Sequence, residues 1–111
     1  MSTRRLQNYL RTHRKRAGLS QKETAFLLGV KSGTKISRYE NLARIPDLAT
    51  VFALEAIYRV PARELFAGMF DDVQRAVRAR ARLLAKRMSK NSSDSTNKLD
   101  SVKAVASGKE S

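Results

Sequence analysis

The chain has 111 residues, 41% of them hydrophobic, with 23 Lys+Arg against 10 Asp+Glu, which gives a net charge of +13 and a pI near 11.0. That length supports one small core, and no apolar run approaches the roughly 18 residues a membrane span needs. With no Cys and a single His, His13, disulfides, thiol catalysis, Cys-ligated metals and His-cluster metal sites are all excluded.

The positive charge favours a polyanion, nucleic acid before an anionic membrane surface. It is concentrated in the patterned part of the chain. Residues 1–88 hold 19 basic and 7 acidic residues, whereas residues 89–111 hold 4 and 3. The start, Met1-Ser2-Thr3-Arg4-Arg5, leads into no apolar segment, so no signal peptide and a cytoplasmic location are expected.

Helical spacing runs from residue 4 to residue 88. Leu6, Tyr9, Leu10 and Ala17 mark a first helix that Gly18 stops. Ser20 with Glu23 forms a Ser-x-x-Glu capping box for a second helix, whose buried stripe is Ala25 and Leu28 and whose end is Gly29. A short turn follows, and Ser32 is the expected N-cap of a third helix with Ile36 and Tyr39 facing inward. Asn41 to Asp47 is a loop containing Pro46. Asp47 caps a fourth helix with Leu48, Val51, Leu54 and Tyr58 on one face. Tyr39 and Phe52 both sit at core spacing.

Pro61 suits the first turn of a short fifth helix ending at Leu65-Phe66, and Gly68 interrupts. A sixth helix is expected from Phe70 to Met88. Asp71 and Asp72 lie near its start, and Lys86 and Arg87 near its end, as the helix dipole favours. Its narrow apolar seam is Phe70, Val73, Val77, Ala81, Leu84 and Met88. Residues 89–111 contain seven Ser and only Leu99, Val102 and Val105 as bulky apolar residues. By itself such a segment buries too little to offset its ordering entropy, so a disordered tail is expected, with transient helix over Leu99–Ala106. No strand alternation appears, so the fold class is all-α. The expected domains are 1–68, 69–88 for the arginine-rich helix, and 89–111 for the tail.

Two short helices joined by a tight turn, with further helices behind, form a helix-turn-helix pattern. The residues Leu19-Ser20-Gln21-Lys22-Glu23-Thr24-Ala25, Leu28-Gly29-Val30, Ile36-Ser37-Arg38-Tyr39-Glu40-Asn41 and Arg44-Ile45-Pro46-Asp47-Leu48, in that order, resemble the Cro/repressor-type helix-turn-helix domain. Val60 to Glu64-Leu65-Phe66 fits its fifth helix. The resemblance covers residues 5–66 and implies a five-helix, lambda-repressor-like domain. Three positions depart from it. One more residue, Lys31 or a neighbour, stands in the turn before Ile36-Ser37. Leu42 and Arg59 stand where the family has Gly, and the loop after the third helix is expected to turn differently.

The resemblance implies binding of double-stranded DNA, with Gln21 touching a phosphate and bracing the third helix. Ser32, Gly33, Thr34, Lys35, Ser37, Arg38 and Asn41 would face the major groove, where Arg and Lys favour guanine. Arg44 would touch backbone or minor groove, and Arg14 with Glu40 would form a structural pair. Arg4, Arg5, Arg11, Lys15 and Arg16 form a basic run suited to phosphate or to solvent. His13 has no catalytic partner, and Asn91-Ser92-Ser93 carries no weight as a glycosylation sequon without a signal peptide.

The expected function is transcriptional regulation by a bacterial or phage-type repressor acting as a homodimer on half-sites about 34–36 Å apart. An antitoxin that binds a toxin and its own operator is the alternative. The Arg75–Arg87 helix fits three roles: a dimer helix, an extension of the phosphate-binding surface, or a dock for an acidic protein. No nucleophile–base set, paired catalytic carboxylates or phosphate loop can be assembled. Neither enzyme activity, a cofactor, a metal nor a membrane partner is therefore expected.

Overall fold

In the computed structural model, residues 6–90 and 96–108 are described. They form seven helices and no strand: α1 Leu10–Arg16, α2 Gln21–Leu28, α3 Thr34–Glu40, α4 Leu48–Tyr58, α5 Ala62–Leu65, α6 Ala67–Lys90 and α7 Thr96–Ser107. The chain divides into two units, Met1–Phe70 and Asp71–Ser111, with the boundary inside α6. Arg4, Arg5 and the Asn91 sequon lie outside the described residues.

The first unit is built around Leu10, Ala25, Ile36, Tyr39, Leu54, Tyr58, Leu65 and Phe66, with Leu19, Leu28, Val30 and Val51 packed against them. α1 starts at Leu10 rather than earlier, and Leu6 is exposed. The segment before it is held in another way. The Tyr9 N–H donates to the Leu65 carbonyl, and the Leu6 and Gln7 carbonyls accept from Gly68 and Met69. Those last two are first-turn N–H groups of α6, which have no partner inside their own helix. Gly68 is therefore a buried part of α6 and does not interrupt it. The helix start moves to Ala67, which places Asp71 and Asp72 beyond its first turn.

α2 begins with the expected capping box. The Ser20 hydroxyl accepts from the Glu23 N–H at 2.9 Å, and the Glu23 carboxylate accepts from the Ser20 N–H at 2.8 Å. Both bonds hold the Glu23 carboxyl below its ordinary range. α2 ends at Gly29, which takes a left-handed φ of 78° at no Cβ cost. Ala25 is fully buried between α2 and its neighbours, and Thr24 beside it is buried too, reached by the Tyr58 hydroxyl at 3.4 Å.

α4 is capped by Asp47, which accepts from the Thr50 N–H at 2.9 Å. Its inward face is Val51, Leu54 and Tyr58. Leu48 and Phe52 are not core residues, being 68% and 58% exposed. They lie four residues apart, on the side of α4 turned away from Leu54.

Leu42 and Arg59 adopt left-handed φ of 62° and 58°. Thus both positions where the related family has Gly keep the backbone that Gly would take. The loop after α3 turns as it would with Gly, with a bulky side chain in a strained conformation.

In the second unit, a twelve-residue helix, α7, stands within the segment expected to be disordered. The expectation considered only what that segment could bury by itself. Leu99, Val102 and Ala106 are half-buried and share one face of α7. On α6 the protected stripe is Gln74, Arg78, Ala81, Ala85 and Met88. A Cβ added to Gly108, just past α7, would lie 2.5 Å from the Arg78 guanidinium. The end of α7 thus lies beside the middle of α6. The half-burial of Leu99, Val102 and Ala106 is what composition does not reveal. Residues 91–95 and 109–111 of the expected tail lie outside the described residues.

The two strained positions give a direct stability test. Leu42→Gly and Arg59→Gly should each raise unfolding free energy by about 0.5–1 kcal/mol, since relief of left-handed strain exceeds the added chain entropy of Gly. Urea denaturation with unchanged m-value is the measurement. Two variants less stable than the parent would show that the Leu42 and Arg59 side chains contribute more than their backbone strain costs.

Candidate nucleic-acid interface

The third helix is fixed from behind by one carboxylate. Glu40, at the end of α3, accepts from Arg14 Nε at 2.6 Å and Arg14 Nη2 at 3.3 Å. It also accepts from Gln21 Nε2 at 3.2 Å. The Arg14 and Glu40 side chains are only 11% and 3% exposed. Arg14 Nη1 donates to the Leu19 carbonyl at 3.0 Å, which occupies the remaining edge of the guanidinium. The bond to Glu40 raises the Arg14 pKa, more than burial lowers it. One carboxylate thereby ties α1, the start of α2 and the end of α3 together. Asn8 adds a second tie, with its Nδ2 donating to the Tyr39 carbonyl at 3.1 Å and its Oδ1 accepting from the Leu10 N–H at 3.2 Å.

The turn between α2 and α3 accommodates its additional residue without disturbing the core. Val30 packs on the core, and its N–H reaches the Ala25 carbonyl at 3.0 Å. Lys31 and Ser32 point into solvent. Gly33 then returns to α2: a Cβ on it would lie 3.1 Å from Gln21 Cβ and 3.2 Å from Lys22 N. That approach needs a residue without a side chain. Gly33, and not Ser32, occupies the N-cap position of α3, and no side chain caps the helix. The start of α3 is thus pressed against the residue that Glu40 holds from the other end.

With Ile36 and Tyr39 buried, the outer face of α3 is Thr34, Ser37, Arg38 and Asn41. Asn41 Nδ2 donates to Ser37 Oγ at 3.3 Å, so these two side chains act as one polar unit. Thr34, Arg38 and Asn41 are exposed. Lys35 differs from them, being half-buried at the edge of the face. The Asp47 carboxyl is held below its ordinary range by its bonds to Thr50, with Lys35 and Arg44 both adding to the effect. Lys35 and Arg44 are therefore both near enough for their charge to act on Asp47. His13 lines a surface hollow with Tyr9, Thr12, Arg16, Glu64 and Ala67, away from this face. Among the described residues no group of His, Asp and Glu could hold a metal ion.

A family model described as helix-turn-helix matches residues 10–65, which is half of the chain. The chain belongs to the Cro/repressor-type helix-turn-helix family. It is a DNA-binding domain of the transcription-regulator kind. No curated protein and no solved structure matches the chain. The match stops at Leu65, so it does not extend to α6 or α7. No helix among the described residues is long and apolar enough to cross a membrane.

Sequence reasoning named Arg14, Gln21 and Glu40 and missed Asn8, whose polar side chain carried no spacing signal. It also missed the reason for Gly33, because a close approach between two helices is invisible along a chain.

The Arg14–Glu40 pair has a measurable consequence. Glu40→Ala should cost about 3 kcal/mol, because it leaves the Arg14 guanidinium buried and unpaired. A double-mutant cycle with Arg14→Ala should return a coupling well above the roughly 0–1 kcal/mol of an exposed pair. A coupling near zero would show that the two residues act independently.

Proposed function

We propose that this helix-turn-helix protein reads a specific duplex DNA sequence through α3 and represses transcription by occluding a promoter, acting as a dimer. What carries the reading is the exposed ridge Thr34–Ser37–Arg38–Asn41, fixed from behind by the buried Glu40 carboxylate. A helix presenting Arg and Asn on a rigid scaffold suits the major groove, where Arg recognises guanine and Asn recognises adenine by paired hydrogen bonds.

The placement of Lys35 separates two roles. Arg38, exposed at the middle of the ridge, is assigned to base reading. Lys35, half-buried at the edge of the face, and Arg44, exposed in the loop after α3, are assigned to the phosphate backbone that borders the groove. The start of α2 supplies a second backbone contact through the N–H groups of Gln21 and Lys22, the Glu23 N–H being taken by Ser20. A net charge of +13 makes binding strongly salt-dependent. Two copies on a two-fold site would place their α3 helices one helical turn of DNA apart, about 34–36 Å.

Competition binding on a set of single-base operator variants, repeated at two salt concentrations, tests this division. Selection from a random DNA pool supplies the operator. Arg38→Ala should lose about 1–3 kcal/mol on the best site and relax preference at one base pair. Lys35→Ala should weaken all variants alike and lower the salt slope by about one unit. If Arg38→Ala weakens every variant by the same factor, α3 does not read bases through Arg38.

A further inference from the structure

The segment before α1 joins two places far apart in the chain, the first turn of α6 and the last turn of α3. The Leu6 and Gln7 carbonyls accept from the Gly68 and Met69 N–H groups at 2.8 and 3.3 Å, and the Tyr9 N–H donates to the Leu65 carbonyl at 2.6 Å. Asn8 is therefore pinned through its neighbours on both sides. Its side chain turns to α3, where Nδ2 donates to the Tyr39 carbonyl at 3.1 Å. That carbonyl lies in the last turn of α3, where carbonyls have no partner within the helix. It also accepts from the Leu42 N–H at 3.2 Å, as the chain leaves α3 through the left-handed φ of 62° at Leu42. Asn8 thus grips the carbonyl about which the loop after α3 turns.

We propose that Asn8 is a positioning residue for DNA recognition: acting through the Tyr39 carbonyl, it sets the rotation of α3 and so the discrimination between base sequences. The proposal rests on the reading of DNA by α3 given above. Arg14, in the last turn of α1, holds the Glu40 side chain. Alone, that grip is a pivot about which a helix of seven residues can still swing. Asn8, before the start of α1, holds the backbone of the residue next to Glu40. Two grips on consecutive residues, from opposite ends of α1, remove the swing. Base recognition needs that restraint, because a binding constellation must be held within about 0.5 Å and 10–20° of its productive geometry. Neither Asn8 nor the first turn of α6 lies within residues 10–65, so this support stands outside the stretch that the family model matches.

The chemistry of the amide allows its two bonds to be separated. Asn8 Oδ1 accepts from the Leu10 N–H at 3.2 Å and fixes the start of α1 in an Asx turn, while Nδ2 serves Tyr39. A carboxylate at residue 8 still accepts from Leu10 but has no hydrogen to give Tyr39. A hydroxyl can also accept from Leu10, more weakly, but its shorter side chain stops short of Tyr39.

Asn8→Ser and Asn8→Asp in the full chain therefore test the proposal, with Asn8→Ala removing both bonds. The probes are the duplex that selection from a random pool returns for the wild type and a scrambled duplex of equal length, titrated at one salt concentration. The readout is the ratio of the two affinities. Partial unfolding lowers both affinities by the same factor, and so does repulsion of phosphate by an added carboxylate, so neither changes the ratio. All three variants should reduce the ratio about fivefold, the worth of one hydrogen bond. Asn8→Ser decides, since it adds no charge; should it fail to fold, Asn8→Asp decides in its place. A deciding variant that keeps the wild-type ratio overturns the proposal and leaves Asn8 a role at the start of α1 alone. A wild type that binds both duplexes alike overturns the reading of DNA by α3 itself, and this proposal with it.

Discussion

The Glu40 carboxylate is the constraint on which the DNA-facing surface depends. It is almost fully buried, it carries charge, and its compensation comes from a guanidinium on α1 and an amide at the start of α2. A buried ion pair of this sort is not cheap stability, since desolvating two charges cancels much of their attraction. Its value here is geometric. α3 has only seven residues and no side-chain cap at its start, so intrahelical bonding alone would leave its direction loosely set. The Arg14 fork fixes the far end of α3 in two hydrogen bonds, and Gly33 against Gln21 fixes the near end. With both ends fixed, the side chains at Thr34, Arg38 and Asn41 are held at a constant height and rotation, which recognition in a groove requires.

The departures from the related family show which parts of this architecture are rigid. Leu42 and Arg59 take the left-handed backbone that Gly would take, at a cost in strain, rather than letting the chain follow another path. The loop after α3 must deliver Asp47 to the start of α4, and the end of α4 must deliver Pro61 to the start of α5. Both paths are set by the core residues on either side, Tyr39 with Leu54 and Tyr58 with Leu65. The additional residue in the α2–α3 turn is treated in the opposite way. The turn is exposed, so Lys31 and Ser32 move outward and the core residues Val30 and Ile36 keep their places.

Much of the first unit was legible in the residues. The capping box at Ser20, the left-handed Gly29, the Asp47 cap and the inward positions of Ala25, Ile36, Tyr39 and Leu54 all follow from local chemistry and helical spacing. The failures share one cause. Leu48 and Phe52 satisfy the spacing of a buried stripe, but a helix face is buried only where a neighbour covers it. Gly68 reads as a breaker until the Leu6 carbonyl takes up its N–H. The Leu99–Ala106 segment reads as too poor in apolar residues to fold, yet it is helical with Leu99, Val102 and Ala106 half-buried. Each misreading concerns a partner distant in sequence, which periodicity cannot supply.

The same lesson separates the two stripes of α6. From the chain alone, Phe70, Val73, Val77, Ala81, Leu84 and Met88 form a single apolar seam. In the fold that seam splits: Ala81 and Met88 belong to the protected side, and Val73, Val77 and Leu84 to the open side. Each half is narrower than a globular helix face, which commonly spans 100° or more. A narrow stripe bearing Arg80 and Arg87 would make a poor core. Arginine suits such a stripe, with an aliphatic stem that lies along the helix and a guanidinium that stays hydrated.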